Sequence, residues 1–103
     1  MQDVGRFRVL ASHPSLPGHF PSRPVVPGVV LLDEAFALIL AAHPGHRITA
    51  LPSAKFIRPV LPEQDVQVRC QAGPDGRSDG RVAFACAVGA DEVLRGTAVL
   101  GPA

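Results

Sequence analysis

Residues 28–42 constrain this chain more than any other stretch. They read Gly-Val-Val-Leu-Leu-Asp-Glu-Ala-Phe-Ala-Leu-Ile-Leu-Ala-Ala. Prolines stop at Pro27, just before the run, and His43-Pro44-Gly45 closes it, so the segment is predicted as a helix. It is apolar nearly all round, which calls for cover on several sides. It also falls short of the ~20 apolar residues that span a bilayer.

The remaining segments suit the role of cover. Residues 6–11, 47–58, 66–72, 81–88 and 93–100 read as strands. The clearest is 81–88, where Val82, Phe84, Cys86 and Val88 alternate with Arg81, Ala83, Ala85 and Ala87. The turn Gly89-Ala90-Asp91-Glu92 closes a hairpin after it, and a polar loop at 73–80 joins two antiparallel strands. A strand, a helix and four more strands imply an α+β domain, 1–103, with one antiparallel sheet curled around one central helix.

Composition narrows the function. Hydrophobic residues make up 47% of 103 and charged residues only 18%, which points to one compact domain. So much apolar surface on so small a domain points to a subunit interface, hence a dimer or larger. A net charge of +1 and the absence of Trp and Tyr argue against nucleic-acid binding. The charged start (Asp3, Arg6, Arg8) lacks a signal-peptide core, so a cytoplasmic location, without membrane attachment, is expected. Cys70 and Cys86 sit on inward strand positions and read as buried free thiols.

Chemistry concentrates around the helix. Asp33 and Glu34 are its two carboxylates, and no Lys or Arg accompanies them. A carboxylate buried without a partner favours its protonated form, which suits a general acid; the alternative is that one or both face solvent. His19 lies in a loop, 12–27, that holds five of the eleven prolines. Proline fixes its own backbone and extends its predecessor, so this loop is stiff and can hold a histidine base in place. Gly28 opens the helix, where unpaired N–H groups and the dipole favour negative charge. That makes a candidate oxyanion site, unless the glycine only makes the turn. His43 and His46 have metal-like spacing, but Pro44-Gly45 breaks the helix between them, and no metal is expected. His13 reads as a loop residue.

The segment His19-Phe20-Pro21-Ser22-Arg23-Pro24-Val25-Val26-Pro27-Gly28 and the helix through Asp33 resemble the signature of the 3-hydroxyacyl-acyl carrier protein dehydratases of hot-dog fold. That family carries a His-Phe-Pro-Gly segment, a Pro-x-x-Pro-Gly segment, and a helix with a catalytic acid fourteen residues after the His. His19 to Asp33 is fourteen, a register that selects Asp33 over Glu34. A second block, Lys55-Phe56-Ile57-Arg58-Pro59-Val60-Leu61-Pro62, resembles the family's Lys-Phe-x-x-Pro-Val-x-Pro strand. The resemblance spans residues 6–100. Three positions depart from the pattern. Ser22 stands for a glycine, Ala37 for a frequent glutamine one turn beyond the acid, and Glu63 for the glycine that follows Pro62.

The resemblance implies a hot-dog domain that dehydrates a (3R)-hydroxyacyl thioester on acyl carrier protein to the trans-2-enoyl thioester, in fatty-acid, polyene or polyketide-type biosynthesis. His19 would be the base, Asp33 the acid and the Gly28 N–H the oxyanion donor, with no cofactor. Sites would lie at the interface of a homodimer, with the His of one chain and the acid of the other. A higher oligomer or a hetero-dimer is the alternative. Phe20, Pro27, Val29, Phe36 and Phe56 are the candidate substrate contacts. Arg23, Lys55 and Arg58 flank the two blocks and are candidates for carrier-protein docking. Two other readings are a hot-dog acyl thioesterase and a non-catalytic partner subunit that binds carrier protein.

Overall fold

A computed structural model of the chain describes residues 1–13, 25–72 and 80–103. In chain order it places β1 at Gln2–Arg8, α1 at Gly28–Ala41, β2 at His46–Phe56, β3 at Asp65–Ala72, β4 at Arg81–Val88 and β5 at Asp91–Pro102. The strands form one antiparallel sheet in the order β1-β3-β4-β5-β2. The stiff loop expected over 12–27 and the polar loop expected over 73–80 lie largely outside the described residues.

Alternation decides which side of the sheet is core. Val66, Val68 and Cys70 of β3 and Val82, Phe84 and Cys86 of β4 are all buried. In register, Cys70 stands opposite Phe84 and Val68 opposite Cys86. Leu31, Ala35 and Ile39 of α1, one residue per turn on one face, pack into this layer. Both cysteines are free and buried, as expected. Burial raises both thiols, and Cys86, which the Glu92 charge raises further, is pushed up to about 12.

Three details differ from the sequence reading. The first strand runs over Gln2–Arg8 rather than 6–11. Past Arg8 the chain leaves β3, because the Val9 carbonyl accepts from the Glu63 N–H at 2.8 Å and the Ala11 N–H donates to Glu63 Oε1 at 2.8 Å. In the last hairpin, Cys86 pairs with Leu94 but Ala87 pairs with Glu92. Val93 is therefore an extra residue, a bulge, and both Val93 and Leu94 are buried. Finally, the sheet covers one face of α1 rather than several. The opposite face, Val29, Asp33, Ala37 and Ala41, is exposed.

The two sheet edges contrast. β1 carries Asp3, Arg6 and Arg8 and is bulged between Asp3 and Gly5; charge and bulges both blunt an edge. β2 has no charged residue from Ile48 to Ala54, and its side chains are almost all exposed. Pro52 fits there because an outer strand, or the register slip between Ala50 and Ser53, spares the missing N–H. No helix among the described residues is long and apolar enough to cross a membrane.

Candidate active site

α1 starts without a side-chain cap and without an acidic residue in its first turn. Pro27 stands at the cap position, with φ −58° and ψ 143°. Its carbonyl accepts from the N–H groups of Val30 at 3.0 Å and Leu31 at 3.2 Å. The N–H groups of Gly28 and Val29 precede any intrahelical acceptor, and no described residue accepts from them. They are the positive end of the helix dipole.

Gly28 is not required by backbone geometry, since it does not adopt a positive φ. What a side chain here would meet is Phe56. A Cβ at this position would lie 2.8 Å from Cζ and 2.9 Å from Cε1 of Phe56. The Phe56 ring therefore packs over the first residue of the helix. Sequence reasoning missed this contact, which no local pattern encodes. Gly28, Leu31, Phe56, Ile57, Arg58 and Val60 border a cleft of about 440 Å³. The bulge at Val93 holds one wall of it, because the Val93 carbonyl accepts from the Ile57 N–H at 2.8 Å and the Arg58 N–H at 3.4 Å. Opposite, the Val26 N–H donates to the Val60 carbonyl at 2.8 Å, tying the approach to the helix to the second motif block. The two blocks are thus brought together.

Asp33 lies on the exposed face of α1, and Glu34 is half-buried. In the single chain, therefore, the helix carboxylates are not shut in an apolar interior. Asp33 does not border the Gly28 cleft, and it sits among Val29, Val30 and Ala37 with no ion pair among the described residues. Phe36 is half-buried and meets Phe84 edge to ring. It lies two helical turns beyond Gly28, so Phe36 and Phe56 occupy different regions. Pro27 and Val29 flank the helix start, with Val29 65% exposed. His19, Phe20 and Arg23 lie outside the described residues.

Of the basic candidates, Lys55 stands opposite Arg95 on β5, and Arg58 Nη1 is 3.9 Å from Asp91 Oδ1, with both side chains largely exposed. Arg95, which the sequence reading did not single out, lies beside Lys55 with its Nη1 3.6 Å from Glu92 Oε1. Lys55, Glu92 and Arg95 border a depression of about 400 Å³. Among the described residues no group of three or more His, Cys, Asp or Glu gathers in one place. His43 and His46 each turn Nδ1 to a backbone carbonyl, Ile39 at 2.8 Å and Pro44 at 3.1 Å.

The architecture, five antiparallel strands against one helix, is a hot-dog fold. It superposes on the dehydratase heterocomplex ApeI:P from Xenorhabdus doucetiae with a TM-score of 0.76 at 19% identity, covering 92% of this chain and 82% of that one. It also superposes on a point mutant of the fluoroacetyl-CoA-specific thioesterase FlK with a TM-score of 0.68 at 18% identity, covering 95% and 87%. The family model described as ApeI dehydratase matches residues 2–97, and the chain belongs to this ApeI-like dehydratase family. It is 32% identical over 85 residues to the 3-hydroxyacyl-[acyl-carrier-protein] dehydratase FabZ of Thermomicrobium roseum, covering 75% of this chain and 57% of that protein. The FabZ of Gluconacetobacter diazotrophicus is 33% identical over 78 residues, covering 66% and 48%. The chain thus spans about half the length of these relatives.

Proposed function

We propose that this protein removes water from a (3R)-hydroxyacyl thioester carried on acyl carrier protein, leaving the trans-2-enoyl thioester. The observation that carries this reading is the helix start. The N–H groups of Gly28 and Val29 have no acceptor among the described residues and start the helix beside an apolar cleft, in a chain of a dehydratase family. The thioester carbonyl accepts from Gly28 as it gains enolate character, a donor role worth ~10²–10³ in rate. His19 takes the proton from C2. Asp33, protonated, gives its proton to the departing 3-hydroxyl, which leaves as water. Each proton transfer is worth ~10²–10⁴.

Assembly completes the site in this reading. Asp33 faces away from its own sheet, so another chain has to cover it. A covered carboxyl without a cationic partner favours the protonated form that an acid needs. The uncharged stretch of β2 from Ile48 to Ala54 and the exposed Val29, Leu51, Phe56 and Ile57 are suited to that contact. A homodimer joined along β2 meets this need with one kind of chain. The likeness to the ApeI:P heterocomplex favours a second reading, a hetero-dimer in which this chain is one of two hot-dog subunits. The likeness to FlK keeps thioester hydrolysis as a third.

One assay separates them. The full chain is incubated with 3-hydroxyacyl carrier protein and the products are weighed by mass spectrometry. Loss of water by wild type, reduced at least ~10²-fold in His19→Ala and Asp33→Asn, supports dehydration. Release of free acid supports hydrolysis. No turnover until a second hot-dog chain is added supports the hetero-dimer. Equal rates in wild type and both variants exclude the roles given to His19 and Asp33.

A further inference from the structure

The start of α1 is tethered upstream by the bond from Val26 to Val60 but lacks the usual local caps. Its first residue is glycine, the most flexible residue. It has no side-chain cap, no acidic residue in the first turn and, among the described residues, no acceptor for the first two N–H groups. Such a terminus should fray, yet it borders the cleft where the proposed oxyanion donor must stay in place. The three atoms nearest the missing Cβ all belong to Phe56, and the ring is itself 49% exposed. A half-exposed phenyl ring adds less to the core than a buried one. Its placement against a glycine backbone, at the end of an edge strand, is a specific one. The bonds from Ile57 and Arg58 to the Val93 bulge fix the backbone just beyond it.

We propose that Phe56 is a positioning residue that serves as a packing cap for α1, pressing on Gly28 so that its N–H keeps a fixed direction into the cleft. Resting on the dehydratase reading above, this assigns Phe56 a role in the reaction step rather than in holding the acyl chain. Gly28 is then glycine because the ring occupies the space of a side chain. Small displacements matter here, since a shift of ~1 Å in a catalytic group can cost ~10² in rate.

The test compares wild type, Gly28→Ala, Phe56→Ala, the double variant and Phe56→Leu, each checked for association state by light scattering. The first readout needs no substrate. Alanine is a better helix former than glycine, so Gly28→Ala raises Tm when the space is open. With the ring in place it lowers Tm. The expected result is this reversal of sign between the wild-type and Phe56→Ala backgrounds; equal shifts in both overturn the contact. The second readout is kinetic. Phe56→Ala lowers kcat about tenfold, a fraction of what a lost oxyanion donor costs, with KM within about twofold. Phe56→Leu restores most of it. An unchanged kcat, or a change confined to KM, overturns the positioning role. A wild-type protein without dehydratase turnover refutes the function proposed above and leaves the Tm reversal to decide on the packing cap.

Discussion

Phe36 of the helix meets Phe84 of β4 edge to ring, with centroids 5.8 Å apart and planes at 78°. Phe84 is seated in turn on Gly96 of β5, where a Cβ would lie 2.9 Å from its Cζ. This stack ties the helix to the middle of the sheet. Edge-to-face pairs contribute ~0.5–1.5 kcal/mol beyond the area they bury. Phe84→Ala should cost ~3–5 kcal/mol, as buried phenylalanines do, and Phe36→Ala less. In urea denaturation the double variant should lose less than the sum of the two, by about the pair energy. Strict additivity would show that the rings only fill space.

The open edge gives a second expectation. Leu51 lies in the uncharged stretch of β2 and is exposed. If β2 pairs with another chain, Leu51→Lys puts charge into that contact, as natural edges do to prevent pairing. Light scattering should then show wild type at twice the mass of the variant, with the fold of the variant intact by circular dichroism. A monomeric wild type at micromolar concentration refutes the pairing.

Acid should weaken the β1–β3 rim. Arg8 Nε donates to Asp65 Oδ1 at 2.8 Å, which holds the Asp65 carboxyl below its ordinary range. Asp3 is lowered by accepting from the Gly5 N–H and from Gln67. A carboxyl lowered by folding contributes stability above its unfolded value, ~3.9, and loses it as pH falls through the folded value. Arg8 is raised, and its share would be lost only in strong alkali. The stability gap between wild type and Asp65→Asn should therefore be open at neutral pH and close below about pH 4. A gap that persists in acid would mean that the two residues act through packing.

The thiols provide a probe of the interior. Burial holds both Cys70 and Cys86 in the protonated form, and Cys86 is pushed up to about 12. The thiolate is the reactive species. Neither should be alkylated by iodoacetamide at pH 8 in the native protein, and both should react once it is unfolded in guanidinium. Fast labelling without denaturant would place a cysteine at an opening in the sheet.

These features differ in how far the residues alone disclosed them. The helix was predicted over 28–42 and runs over Gly28–Ala41, because its start and stop are written in adjacent prolines and glycines. The alternation of 81–88 reproduces β4 residue for residue. What escaped depends on partners distant in sequence. The first strand ends at Arg8 because Glu63 captures the next stretch. Val93 is a bulge only because of what β4 sets opposite it. An apolar helix shows that cover is needed but not which chain supplies it, so the open face around Asp33 emerged only with the sheet in place. The contact of Phe56 with Gly28 joins two motif blocks that the sequence presents separately.

The unlike rims of the sheet also set a limit on growth. If two chains join along β2, the rim left on both outer sides is β1, with its bulge and with Asp3, Arg6 and Arg8. An assembly built this way would double once and then present only bulged, charged borders. A chain this rich in apolar strand residues could otherwise seed fibrils. In such a pairing, closure would be the end point of sheet addition.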